Sequence, residues 1–187
     1  HTLPDGSATI AGWRPLLGFM RCRDGPVALR EDAARALSDV SAASIFRPSV
    51  LLLAGIAATV LGDDDGRADD LLTDAGDASR PPQGLTEAPV TLPLAIAERA
   101  MLAISRGEWV KSDTLAQEAL RITRQSRLAE SPGQALVFAV AARTALHADR
   151  TDQAQKLLTE AQRRLPRLTH ASATVAVQAR LEMVRCY

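Results

Sequence analysis

The chain is short of aromatic side chains: Phe, Trp and Tyr make up only 3% of its 187 residues. Its 47% hydrophobic content is therefore mostly Ala, Leu and Val, small and straight-chain residues that suit closely packed helices. Lysine is scarce as well. Only Lys111 and Lys156 stand among the 22 basic residues, a bias of coding composition rather than of an arginine-specific site. Acidic residues also number 22, so the net charge is zero. The basic excess of a domain that wraps nucleic acid is missing, and direct DNA contact by this segment is not expected. Two cysteines, Cys22 and Cys186, lie near opposite ends without CxxC spacing. They read as free thiols in a reducing cytosol, since a disulfide needs Cα atoms within about 7 Å.

No signal peptide is visible, and the longest apolar run, Val50 to Leu61, includes Gly55 and Thr59. It falls well short of the roughly 20 residues that span a bilayer, so no membrane partner is expected and the location reads as cytoplasmic. The chain begins HTLPDG without an initiator Met and ends inside a helical pattern at EMVRCY, as a piece of a longer protein would.

Catalytic signatures are lacking too. There is no G-x-S-x-G elbow, no HExxH and no conspicuous Cys–His or Ser–His–Asp pattern, so a non-catalytic domain is expected and no cofactor is implied. The run Asp63-Asp64-Asp65 lacks the alternating ligands of a calcium loop, and Asp74 stands where that loop needs Glu. It reads as a solvated turn with a helix N-cap. His1, His147 and His170 are too dispersed for a sequence-local zinc site.

What the sequence does have is a helical period almost throughout. Ala154, Leu157, Leu158, Ala161 and Leu165 fall on one helix face, and similar patterns predict helices at 10–22, 26–41, 48–61, 65–79, 92–106, 109–127, 133–148, 151–165 and 172–187. Asp24-Gly25-Pro26, Gly62, Gly107, Ser131-Pro132 and Pro166 punctuate them. With no β-branched alternating run, the expected fold class is all-α.

A second rhythm pairs the helices. Ala68, Leu72 and Ala75 share one spacing with Ser112, Ala116, Ala119 and with Ala154, Leu158, Ala161. Small residues precede each set at Gly55, Ala100 and Ala142, where two backbones must approach to the 8–10 Å typical of packed helices. This is the tetratricopeptide type of signature, closed by Pro166, and predicts a superhelical array of antiparallel helix pairs. One domain, 1–187, would hold repeats at 10–41, 48–79, 92–127 and 133–166 and a partial one at 172–187. Ala142 follows Ala100 by 42 positions, longer than the roughly 34 of the consensus repeat. An array ending at that partial repeat should expose apolar surface there.

Counted from Ala142, the concave face of such an array takes Leu136, Ala139, Arg143, Leu146 and His147 from one repeat. The preceding repeat supplies Leu94, Ala97, Met101, Ile104 and Ser105, and the next supplies Gln178, Leu181 and Arg185. Within this groove Met101, Ile104, Ser105, Arg143, His147, Gln178 and Arg185 are the candidate binding residues. Arg143, Arg185 and His147 would anchor a peptide or an anionic small molecule, an Arg gripping a carboxylate through two nitrogens. The competing reading makes them solvated or locally paired side chains. Trp13 and Trp109 read as repeat-packing residues.

RGEWVKSDTLAQEAL, ALVFAVAARTALHADRTDQAQKLLTEA and THASATVAVQARLEMVRCY, with the earlier RCRDGPVALREDAARAL, resemble the helical-repeat domain of large LuxR-type, MalT-like bacterial transcription regulators. The resemblance covers most of the chain. It implies a parent protein that joins a nucleotide-binding module, this array and a DNA-binding helix-turn-helix. It also implies that the array senses an inducer or partner and controls self-association. The segment itself has no phosphate-binding loop, because Val110 stands where the second glycine of that loop must be in Gly107–Ser112. No helix-turn-helix pattern follows the array. A scaffold of an adaptor, binding protein chains without an inducer, stays open beside the regulator, as does self-association through the C-terminal end.

Overall fold

The computed structural model describes residues 24–42, 44, 46–62, 66–80, 90–125, 130–168 and 173–187. Among them are eight α-helices: α1 (Gly25–Asp39), α2 (Arg47–Leu61), α3 (Arg67–Ala78), α4 (Thr91–Ser105), α5 (Trp109–Gln125), α6 (Ala135–His147), α7 (Thr151–Arg164) and α8 (Ala173–Val184). Short 3-10 turns cover Pro132–Gln134 and Leu165–Arg167, and no strand occurs among the described residues. The all-α expectation holds. The helix expected at 10–22 lies outside the described residues, as do Trp13, Cys22, Asp63–Asp65, His1 and His170. No described helix is long and apolar enough to cross a membrane.

The chain divides into two compact units, His1–Ala78 and Ser79–Tyr187. In the first, α1 is amphipathic and buries Leu29, Ala33 and Ala36 at one-turn intervals. These meet Val50, Ala54 and Ala57 of α2, which is apolar nearly all round because α1 and α3 both pack on it. Arg47 donates from Nη1 to the carbonyls of Leu37 (2.8 Å) and Val40 (3.0 Å), satisfying the open C-terminal end of α1. Gly62, in a left-handed conformation (φ 73°), then turns the chain out of α2. A Cβ on Gly55 would lie 2.6 Å from Leu72 Cγ, so here the small residue of the predicted seam is a steric requirement.

The second unit is organised around α6, which packs against α4, α5, α7 and α8. Every residue from Ala135 to Ala142 is buried. Leu136, Val137, Phe138 and Val140 each contribute on the order of 2 kcal/mol of gross burial, which makes this helix the core rather than a wall of the unit. The connections 106–108 and 148–150 are short, so α4 returns along α5 and α6 along α7. At the first of these seams Ser112 Oγ donates to the carbonyl of Ala100 at 2.9 Å, with both residues at 0% exposure. In α7 the buried apolar residues are Ala154, Leu157 and Ala161, while Leu158 is only half-buried. The seam of α7 therefore turns by one residue from the rhythm of α3 and α5.

Candidate functional site

The site grows from one anomaly in α4. Its sequence TLPLAIAERAMLAIS is apolar on most faces, yet Glu98 sits in the middle at 0% exposure. Gln178, on the buried side of α8, donates from Nε2 to Glu98 Oε2 at 2.9 Å. The Oε1 atoms of both residues are buried with no hydrogen-bond partner. Burial pushes the Glu98 carboxyl up to about 8; the hydrogen bond from Gln178 works against this and the charge of Glu182 adds to it.

Glu182 lies one helical turn beyond Gln178, with a side chain fully shielded from solvent. Arg143 of α6 donates from Nη1 to its Oε2 at 2.7 Å, and Arg185 pairs with its Oε1. Two guanidinium groups thus compensate one buried carboxylate, the condition under which a buried charge is tolerable. The thiol of Cys186 donates to the Glu182 carbonyl at 3.2 Å. Burial first, then Glu182, raises that thiol above its ordinary value, with Arg143 opposing.

Arg143 also connects this buried network to the surface. Its guanidinium lies 5.6 Å from the ring centroid of Trp109, the first residue of α5. Trp109 stacks on His147 with centroids 3.7 Å apart and planes within 16°. His147 is exposed at the last position of α6, so its ring covers the tryptophan while leaving an edge in solvent. The result is an aromatic and cationic patch drawn from α5 and α6, tied through Arg143 to the buried Glu182 of α8.

The candidate residues named from the sequence are placed as follows. Arg143, His147 and Arg185 come together around Trp109 and Glu182. Gln178 is buried and turned toward Glu98. Met101 is half-buried and Ile104 buried on α4, while the exposed Ser105 donates to the Leu102 carbonyl at 2.7 Å and to no other helix. Leu94, Ala97, Leu136 and Ala139, assigned to the groove, are all buried. Glu98 and Glu182 escaped the sequence reading. Their signal was present: Glu98 interrupts an apolar run, and Glu182 stands two 42-residue intervals beyond it, at the same place in the repeat. Trp109 was assigned to packing, and its stacking on His147 makes it part of the patch.

A second charged cluster closes the side of α7. Glu130 bridges Arg163 (2.8 Å) and Arg164 (3.2 Å), Glu160 binds both, and the Arg164 guanidinium lies 4.2 Å from the Phe138 ring centroid. These groups line an open cleft of about 520 Å³. The hydrogen bond from Arg164 holds the Glu160 carboxyl below its ordinary value. Their charges are spent on each other, so the cluster clamps α7 to the segment before α6. No group of His, Cys, Asp and Glu suited to a metal ion occurs among the described residues.

Comparison with protein-family models, with curated proteins and with solved structures returns no match to this chain.

Proposed function

We propose that the chain is a non-catalytic sensor or interaction domain of a LuxR-type, MalT-like transcription regulator, binding an effector or a peptide at the Trp109–His147–Arg143 patch. The observation that carries this reading is the meeting of three residue types suited to recognition on separate helices. A flat aromatic pair offers a stacking surface, Arg143 and Arg185 offer cationic anchors, and α8 carries Glu182 beneath them. An anionic group that engaged Arg143 or Arg185 would compete with Glu182 and so act directly on how α8 is held. In a right-handed superhelix of helix pairs, that contact would favour one curvature or assembly state over another. The shift is bounded by the ligand's difference in affinity for the two states. Nucleotide hydrolysis and promoter binding would belong to other parts of the parent protein.

The adaptor-scaffold reading has its own observation. Val177, Leu181 and Val184 are 55%, 48% and 68% exposed and share one face of α8, an apolar stripe suited to a protein chain.

A thermal-shift screen separates the two, using organic acids, sugar phosphates and amino acids in one arm and short acidic or apolar peptides in the other. The regulator reading expects a small anion to raise the melting temperature. It also expects His147→Ser to weaken that anion at least tenfold while costing the free protein only the stacking contact with Trp109, about 1 kcal/mol. Response to apolar peptides alone favours the scaffold. Equal binding by wild type and His147→Ser removes the patch from either role.

A further inference from the structure

Arg143 and Arg185 are both engaged by Glu182, and among the described residues no cation pairs with Glu98. From α8, Glu98 faces Gln178 and Glu182; from α6, Arg143 reaches it only through Glu182. Neither α5 nor the Pro132–Gln134 turn brings a titratable group that perturbs it. An ionised Glu98 would be acceptor-only, with Oε2 bonded to Gln178 and Oε1 buried without a partner among the described residues, as Gln178 Oε1 also is. Two acceptors without donors on two residues already bonded to each other have one economical solution, a single proton between them.

We infer that Glu98 and Gln178 form a neutral acid–amide pair, the carboxyl accepting from Nε2 and donating to Oε1, and that this pair latches α8 to α4 and opens when the proton leaves. This rests on the reading of the Trp109–His147–Arg143 patch as the binding site, and it names the regulation of that site. Glu182 rides on the same helix as Gln178 and Arg185 follows its last residue, so loosening α8 alters the anchors of the patch.

The direction of the effect follows from the raised carboxyl. Ordinary glutamate releases its proton near 4.5, whereas Glu98 in the docked state holds it up to about 8. Docking is therefore fully favoured at acid pH, weakens progressively as pH rises through that interval, and is weakest above it. Glu182 sharpens the response, because an ionised Glu98 adds a second negative charge beside it. The protein would meet its ligand with α8 held at mildly acidic pH and released at mildly alkaline pH.

The test uses the unliganded full chain. Protection of the α8 amides against hydrogen exchange, corrected for intrinsic rates, is followed across pH in wild type and in Glu98→Gln. A glutamine pairs with Gln178 through the same two hydrogen bonds and cannot ionise. Wild-type protection should fall roughly tenfold per pH unit between about pH 5.5 and 7.5, the slope that one linked proton gives. The Glu98→Gln profile should stay flat. Carboxyl carbon chemical shifts should place the Glu98 titration well above the ordinary glutamate range. That measurement decides the matter on wild type alone if the variant does not fold. A Glu98 that titrates normally, or α8 protection with the same slope in both proteins, overturns the latch. No ligand enters these measurements, so a screen without hits would remove the binding site and leave the latch standing. A flat wild-type profile would do the reverse.

Discussion

The hairpins α4–α5 and α6–α7 are two copies of one design, offset by 42 positions, and their differences locate the chemistry. Their turns are the same. Glu108 N–H donates to the Ala103 carbonyl at 2.9 Å, and Arg150 N–H to the Ala145 carbonyl at 2.9 Å. Gly107 takes the left-handed position in the first (φ 75°) and Asp149 takes it in the second (φ 56°). Ala100 and Ala142 are both fully buried at the seam. Around this shared backbone the side chains diverge: Met101 becomes Arg143, Ser105 becomes His147, Glu98 becomes Val140 and Ser112 becomes Ala154. Positions that set the backbone are kept small or left-handed, whereas positions beside them change character: Met101 against Arg143 and Glu98 against Val140 exchange an apolar and a charged residue, in opposite directions. The lesson is that the shared spacing supplies the frame, and the proposed site lies where the two hairpins disagree.

Making one copy imitate the other tests this. The largest effect is expected from Arg143→Met, which gives α6 the residue of α4. Glu182 would stay buried with Arg185 alone, and urea unfolding should register a loss of about 2–3 kcal/mol, toward the lower end for a broken buried pair. Retention of full stability would mean that Arg185 suffices and that Arg143 is free for a ligand. Ser112→Ala gives α5 the residue of α7 and removes the hydrogen bond to the Ala100 carbonyl. The cost should be about 1 kcal/mol in the same assay, since that carbonyl lies within a helix. Smallest, and of opposite sign, is Asp149→Gly. It relieves a left-handed non-glycine residue and should raise the melting temperature by the equivalent of about 0.5 kcal/mol, the strain relieved less the added entropy of glycine in the unfolded chain.

The helices were legible because small-residue spacing and breakers act locally. The expected 151–165 appears as Thr151–Arg164, its end set by the 3-10 turn Leu165–Arg167, and the described part of 109–127 is Trp109–Gln125. Expectation and structure part at 133–148, where Pro132–Gln134 forms a separate turn before α6. In α7 the periodicity puts both Leu157 and Leu158 on the inner face, and packing buries Leu157 while leaving Leu158 half-buried, because residues three and four positions along a helix share a face. Arg143, His147 and Arg185 could be named by counting along the repeat, since each belongs to a position that faces its neighbour. Their partner Glu182 could not be reached that way, because a search for ligand-binding residues passes over a carboxylate that serves the interior. The Glu98–Gln178 bond lay furthest from view. A nearest-neighbour periodicity contains no term for a helix that touches the fourth one before it.

That bond joins residues 80 positions apart, from the first helix of the second unit to its last. Linear arrays whose modules touch only adjacent modules melt piecewise, and their terminal elements fray first. Here the terminal helix is tied to the opposite end of the series, past the hairpin between them, so the strand of contacts is closed into a loop. Loss of order at either extremity must break this tie to the other, so the Glu98–Gln178 bond couples the two ends directly as well as through the helices between them.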